Sequence, residues 1–143
     1  FEDEYEAARL HTQIGEDHLS RQPSTRPYAP VALGHHAWYD GSGGYPDTYV
    51  RLECPCRQMV DVIGLTDWLD SVTYATHLYT GAGRTFEEAL RDAIGLGGKR
   101  FSPLLTGRLE DPAVARQLAE AFEDSRREAY RRLYEALPER QAP

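Results

Sequence analysis

Residues 55–73 read Pro-Cys-Arg-Gln-Met-Val-Asp-Val-Ile-Gly-Leu-Thr-Asp-Trp-Leu-Asp-Ser-Val-Thr. Met59, Val62, Ile63, Thr66, Leu69 and Val72 recur at spacings of three and four, the period of one helical face. Proline suits the first turn of a helix, where its missing N–H has no partner to lose, so Pro55 is read as the start. The same period returns on either side. Thr85-Phe86-Glu87-Glu88 is a capping box, in which a threonine side chain serves an orphan amide and a glutamate three residues on reaches back. Phe86, Ala89, Leu90, Ala93 and Ile94 form the apolar face behind it, and Gly95, Gly97 and Gly98 stop the helix. Ser102-Pro103 opens a short helix. Asp111-Pro112 caps a long one marked by Val114, Leu118, Ala121, Phe122, Leu133 and Leu137. Upstream, residues 2–20 read as one helix, with Glu2, Asp3 and Glu4 at its N-terminal end. Pro23, Pro27 and Pro30 enforce a loop, residues 31–36 make a turn or two of helix, and the glycines of residues 40–46 make another loop. No stretch alternates with period two, so the fold class is all-α.

The chain has 143 residues, enough for one domain or a piece of one. Sixteen Lys and Arg face 23 Asp and Glu, a net charge of −7, which argues against a nucleic-acid polymer or an anionic membrane as partner. It does not argue against a small anionic substrate. No apolar run approaches the roughly 18 residues of a membrane span, and no basic-then-apolar segment reads as a signal peptide. These features lead to an expectation of cytoplasmic placement without membrane insertion. Cys54-Pro55-Cys56 has no second cysteine pair to complete a zinc site, so the thiols are read as reduced. His18 is read as solvated, and Trp38 and Trp68 as packing residues.

The chemistry points to His35-His36-Ala37-Trp38-Tyr39-Asp40-Gly41-Ser42-Gly43-Gly44-Tyr45-Pro46. Adjacent residues on a helix point about 100° apart, so two neighbouring histidines suit two nearby metals better than one. Imidazole ligates iron, zinc, copper and nickel, and carboxylates favour harder ions such as manganese. His11 and Asp67 lie on separate predicted helices that could converge on the pair, and Asp40 follows where it could orient an imidazole. A bare His-His pair is equally compatible with a helix end and a surface residue.

The segment from His35-His36 to Pro46 resembles the signature of the HD-GYP family: a histidine pair, three residues, then an Asp-Gly-x-Gly-Tyr-Pro loop. His11-Thr12-Gln13-Ile14-Gly15 resembles that family's upstream helix, and residues 62–73 resemble a later one. Residues 85–90 and 98–103 resemble its last helices. The resemblance implies the C-terminal part of an HD-type helical bundle over residues 1–110, followed by a helical extension over 111–143. It implies hydrolysis of cyclic di-GMP, a cyclic dinucleotide, with two or three divalent metal ions, commonly iron or manganese. By position, His11, His35, His36 and Asp67 match ligands, and Asp40 matches a signature residue near the site. Gly41, Gly43, Gly44, Tyr45 and Pro46 form the loop that the family associates with substrate or partner contacts, notably with diguanylate cyclases. A thin stripe of Tyr130, Leu133, Tyr134 and Leu137 could support a homodimer.

The sequence also departs from the family. No His-Asp dipeptide occurs; in the family that pair lies upstream of the helix matching His11. A start at Phe1 within a helix leads to the expectation of a chain cut from a longer domain, the alternative being a degenerate, non-catalytic sensor or interaction module. Gly43-Gly44 lengthens the loop by one residue, and Ala37 replaces a glutamate. Residues 74–80 lack the family's phosphate-binding arginines; Arg84 is a possible substitute, and His77 is read as a loop residue. Hydrolysis of a different phosphoester is compatible with the same ligands.

Overall fold

The structure, a computed structural model, describes residues 2–73 and 84–136. The helices there are α1 (Glu2–Arg9), α2 (His11–Ser20), α3 (Ala29–Gly34), α4 (Arg57–Thr73), α5 (Phe86–Gly95), α6 (Pro103–Leu109) and α7 (Pro112–Ala136). Two 3-10 turns, Arg26–Tyr28 and Arg51–Glu53, punctuate the connections. Among the described residues no strand forms, and the one bridge pairs Gly97 with Phe101, so the all-α expectation holds. No helix there is long and apolar enough to cross a membrane.

Three helix starts behave as the sequence dictates. Thr85 Oγ1 accepts the Glu88 N–H at 3.2 Å while Glu88 Oε2 accepts the Thr85 N–H at 2.9 Å, closing the box in both directions. Ser102 precedes the first-turn Pro103 of α6. Asp111 Oδ1 accepts the Ala113 N–H at 2.9 Å at the start of α7.

Three expectations need correction. The single helix over residues 2–20 is two helices. The Leu10 N–H reaches back three residues to the Ala7 carbonyl at 3.2 Å, a tighter turn that ends α1 and restarts the chain as α2 at His11. Pro55 lies in the turn before α4, whose first bonds run from the Met59 and Val60 N–H groups to the Cys56 carbonyl. The buried face of α4 is also different from the one its apolar period suggests. Val60, Leu65 and Leu69 are buried, while Met59, Val62 and Ile63 remain 43%, 43% and 41% exposed. The helix is apolar on two sides, and position relative to α3 and α5 decides which side is covered.

The core gathers Leu65, Leu69, Ala89, Leu90, Ala93, Phe101 and Leu109, with Leu118 and Phe122 of α7 packed against it. Each large apolar side chain buried there contributes on the order of 1.5–3 kcal/mol. Trp68 packs on Phe101 at 5.2 Å between ring centres, and Phe86 on Phe122 at 5.4 Å. Arg126 of α7 donates to Asp70 Oδ1 at 2.9 Å and to Thr73 Oγ1 at 2.5 Å, which ties the long helix to the end of α4.

A second set of contacts positions the histidines. Helix α3 lies between α2 and α4 and touches both. At the first contact a Cβ on Gly15 would sit 3.1 Å from Ala32 Cβ. At the second, a Cβ on Gly64 would press on the His35 carbonyl oxygen at well under 3.0 Å, closer than a real side chain sits. The backbones therefore approach as nearly as glycine permits. Residues 74–80 with His77, and Leu137, lie outside the described residues, as do the side chains of Tyr130, Leu133 and Tyr134.

Candidate metal centre

The break at Leu10 places His11 at the first position of α2, and the last turn of α3 delivers His35 and His36 immediately after Gly34. The three side chains converge. One ligating nitrogen from each lies within 4.8 Å of the others. The ring centres of His11 are 5.2 Å from His35 and 5.0 Å from His36, and the adjacent pair is 4.2 Å apart.

Backbone carbonyls fix the rings. His11 Nδ1 donates to the Ala8 carbonyl at 2.5 Å, and His35 Nδ1 donates to the Ala32 carbonyl at 2.8 Å. A carbonyl only accepts, so each Nδ1 carries a proton, and a ring in its neutral form then presents a lone pair at Nε2. Those two Nε2 atoms lie 3.2 Å apart. Two acceptors at that distance repel unless a proton or a cation lies between them. Two nitrogens each about 2.1 Å from a shared ion are separated by about 3.0–3.4 Å, for cis-octahedral or tetrahedral angles. The donor chemistry and spacing of the described residues therefore fit a divalent metal.

His36 is readied in a different way. Burial, then the neighbouring His35 and His11, and then Arg100, lower its pKa to about 4, so it is a neutral donor at ordinary pH. Its Nε2 lies 3.8 Å from Asp67 Oδ2. Asp67, on α4, has a side chain 45% exposed and stands at the rim of the cluster, outside the group of three converging nitrogens.

The loop after His36 folds back over it. The Trp38 N–H donates to the Gly43 carbonyl at 3.0 Å, and the Tyr45 N–H to the His36 carbonyl at 3.4 Å. Gly44 has φ +83°, and a Cβ there would collide with the His36 carbonyl, so only glycine fits on both counts. Gly41 also needs a positive φ, +75°. The additional Gly43 lies against the Trp38 ring. The Tyr45 side chain then stacks on His36 with ring centres 4.6 Å apart and 25° between planes, and the Arg9 guanidinium lies 4.9 Å from the other ring contact's centre at Tyr45. Burial raises the Tyr45 pKa, so its hydroxyl keeps its proton. Pro46 follows through a cis peptide bond.

Asp40 Oδ1 accepts the Ser42 N–H at 2.8 Å, which holds its pKa down, while the Nδ1 atoms of His11 and His35 are held by the Ala8 and Ala32 carbonyls. Arg84 pairs with Asp92 of α5. His18 is exposed at the end of α2. Cys54 and Cys56 are free thiols with sulfurs 3.5 Å apart.

Sequence reasoning missed Arg100 and gave Tyr45 only a place in the loop. Tyr45 forms a wall of the cluster as well as part of a loop. Arg100 lines a cavity of about 20 Å³, room for about one water, together with His35 and His36. Arg100 sits in a turn among glycines, and only the tertiary fold brings it to the histidines. On the other side of Asp67 a groove of about 590 Å³ runs between α4 and α7, lined by Ile63, Thr66, Leu118 and Phe122 among others.

A cyclic di-GMP phosphodiesterase of Thermotoga maritima is 34% identical to the chain over 103 residues, a match covering 71% of this chain and 27% of that protein. The chain thus spans about a quarter of the length of the curated relative it matches, the aligned share being 27%. No family model matches the chain. No solved structure matches it.

Proposed function

We propose that the chain is part of a metal-dependent phosphodiesterase of the HD-GYP type that acts on cyclic di-GMP. The observation that carries this reading is the convergence of His11, His35 and His36, with nitrogens within 4.8 Å and two of the rings locked by backbone carbonyls. The name of the Thermotoga maritima relative supports the substrate. His11, His35 and His36 would hold iron or manganese, two or three ions in a complete domain, with Asp67 joining from the rim. Bound divalent ions supply an acidified water near neutral pH and offset charge that develops on a phosphodiester. The chain's own residues do the rest. His36 binds as a neutral imidazole at ordinary pH, Tyr45 shields one face of His36 from solvent, and the groove beyond Asp67 is of a size that suits a nucleobase. Asp40 shapes the Gly41–Ser42 turn and so holds the loop. That loop, through Gly43, Gly44, Tyr45 and Pro46, is the surface offered to a diguanylate cyclase, and α7 is the surface offered to a second copy. The site of action is the cytoplasm.

One observation favours a second reading, a sensor that binds the dinucleotide without cleaving it. Among the described residues the cluster musters three imidazoles and one rim carboxylate, donors enough for one ion. Metal analysis of the full chain after manganese or iron(II) loading tests the first reading. His35→Ala with His36→Ala should abolish metal uptake, and unchanged metal content refutes the site. Turnover of cyclic di-GMP by the loaded chain separates the phosphodiesterase from the sensor, which binds the nucleotide and leaves it intact.

A further inference from the structure

We propose that Arg100 is an anion-binding residue that grips a phosphate oxygen beside the three-histidine cluster. The inference takes its setting from the metal reading above and adds to it the group that holds the substrate's charge.

The backbone of Arg100 is fixed from both sides. Its N–H donates to the Leu96 carbonyl at 3.0 Å, and its carbonyl accepts the Tyr39 N–H at 3.1 Å, which links the turn after α5 to the loop after His36. Its guanidinium lies 5.4 Å from the ring centres of both Trp68 and Phe101, within cation–π range. The residue is half-buried and shares a cavity lining with His35 and His36.

Its lack of a partner is the informative feature. Arg9, Arg21, Arg51, Arg84 and Arg126 each form an ion pair with a carboxylate. Among the described residues no side chain forms an ion pair or a hydrogen bond with the Arg100 guanidinium. Asp67 is near enough for its charge to act on Arg100, yet the two do not bond. Withdrawing a cation from water without a hydrogen-bonded counter-ion is unfavourable, and the arrangement is relieved when an anion enters. The guanidinium fork matches two oxygens of a phosphate, a geometry that a lysine ammonium lacks. The chain carries a net charge of −7, and among the described residues that line this cavity Arg100 is the one arginine or lysine.

Calorimetric titration of the full chain with inorganic phosphate tests this, run on the manganese-loaded and the metal-free protein. Arg100→Gln should weaken phosphate binding roughly tenfold or more in both forms, the loss of about one charge-assisted hydrogen bond. Arg100→Lys should keep the charge and recover part of the affinity. Arg21→Gln, at an exposed arginine just after α2, should change nothing. Manganese content and helical circular dichroism should match the parent in every variant. If Arg100→Gln folds, and binds phosphate as tightly as the parent in both forms, the residue is only a packing partner of Trp68 and the inference is overturned. Failure of the parent to take up manganese would overturn the metal reading instead, and the metal-free titration would still decide the role of Arg100.

Discussion

Gly64 offers the sharpest test of how the histidines are positioned. In the middle of a helix, Gly→Ala normally stabilises by about 1 kcal/mol, because alanine has less freedom to lose on folding. At Gly64 the new methyl would meet the His35 carbonyl oxygen at well under 3.0 Å, and that atom is backbone held in the last turn of α3. It cannot swing aside as a side chain would, so α3 and α4 must separate. Overpacking of this kind costs about 1–3 kcal/mol. The cost exceeds the propensity gain, and Gly64→Ala should be net destabilising by about 1 kcal/mol. Gly107 is the control. It lies in α6, is exposed, and a Cβ there meets nothing within 4 Å, so Gly107→Ala should stabilise by about 0.5–1 kcal/mol. The two variants should therefore differ by about 2 kcal/mol, a gap of roughly 8 °C in Tm at this chain length. Urea and thermal melts followed by circular dichroism, with a chelator present, measure both. If the two variants are stabilised alike, α3 and α4 are not in backbone contact and the account of how His35 is held is wrong.

Two further outcomes follow from the same structure. In the metal-free chain the His36 ring should titrate near 4, chiefly because it is buried, where an unfolded histidine titrates near 6.5. The folded state then takes up fewer protons between those values, so the stability present above pH 6.5 is lost as the pH falls through that window to about 4. Ring-proton NMR would read the midpoint directly, and a value near 6.5 would contradict the burial. Thr85→Ala removes the capping box of α5, which carries none of the histidines, and should cost about 1 kcal/mol in a melt. Manganese uptake should be unaffected; a parallel loss of metal would show that α5 is coupled to the centre.

The readable parts of this chain are those in which a few neighbouring residues settle the matter. Thr85 to Glu88 and Asp111-Pro112 act through side-chain bonds that span three residues or fewer, Ser102-Pro103 acts through the fixed backbone angle of a first-turn proline, and all three open helices where their chemistry requires it. The histidines were legible as candidates because the residue types are rare and adjacent. The rest depended on partners distant in sequence. Helix α4 has apolar residues on two sides, so its period could not say that Leu65 is covered and Ile63 is not. The break at Leu10 involves no glycine or proline to announce it. The Asp40 carboxylate accepts the Ser42 amide two residues on, a local bond that a motif does not reveal. Arg100 lies 64 residues from His36 in sequence, and only folding brings it to the same cavity.

The hydrogen bonds from the His11 and His35 imidazoles to the Ala8 and Ala32 carbonyls have a wider meaning. Folding usually brings local preferences into agreement, each contact favouring the next. Here the chain does the opposite at one place: it uses two ordinary backbone bonds to hold two lone pairs face to face at 3.2 Å. The rest of the fold supports that conflict, through the glycine contacts of α2, α3 and α4. The cluster is thus a local frustration, kept in place by a consistent scaffold and relieved by a proton or a cation between the two nitrogens.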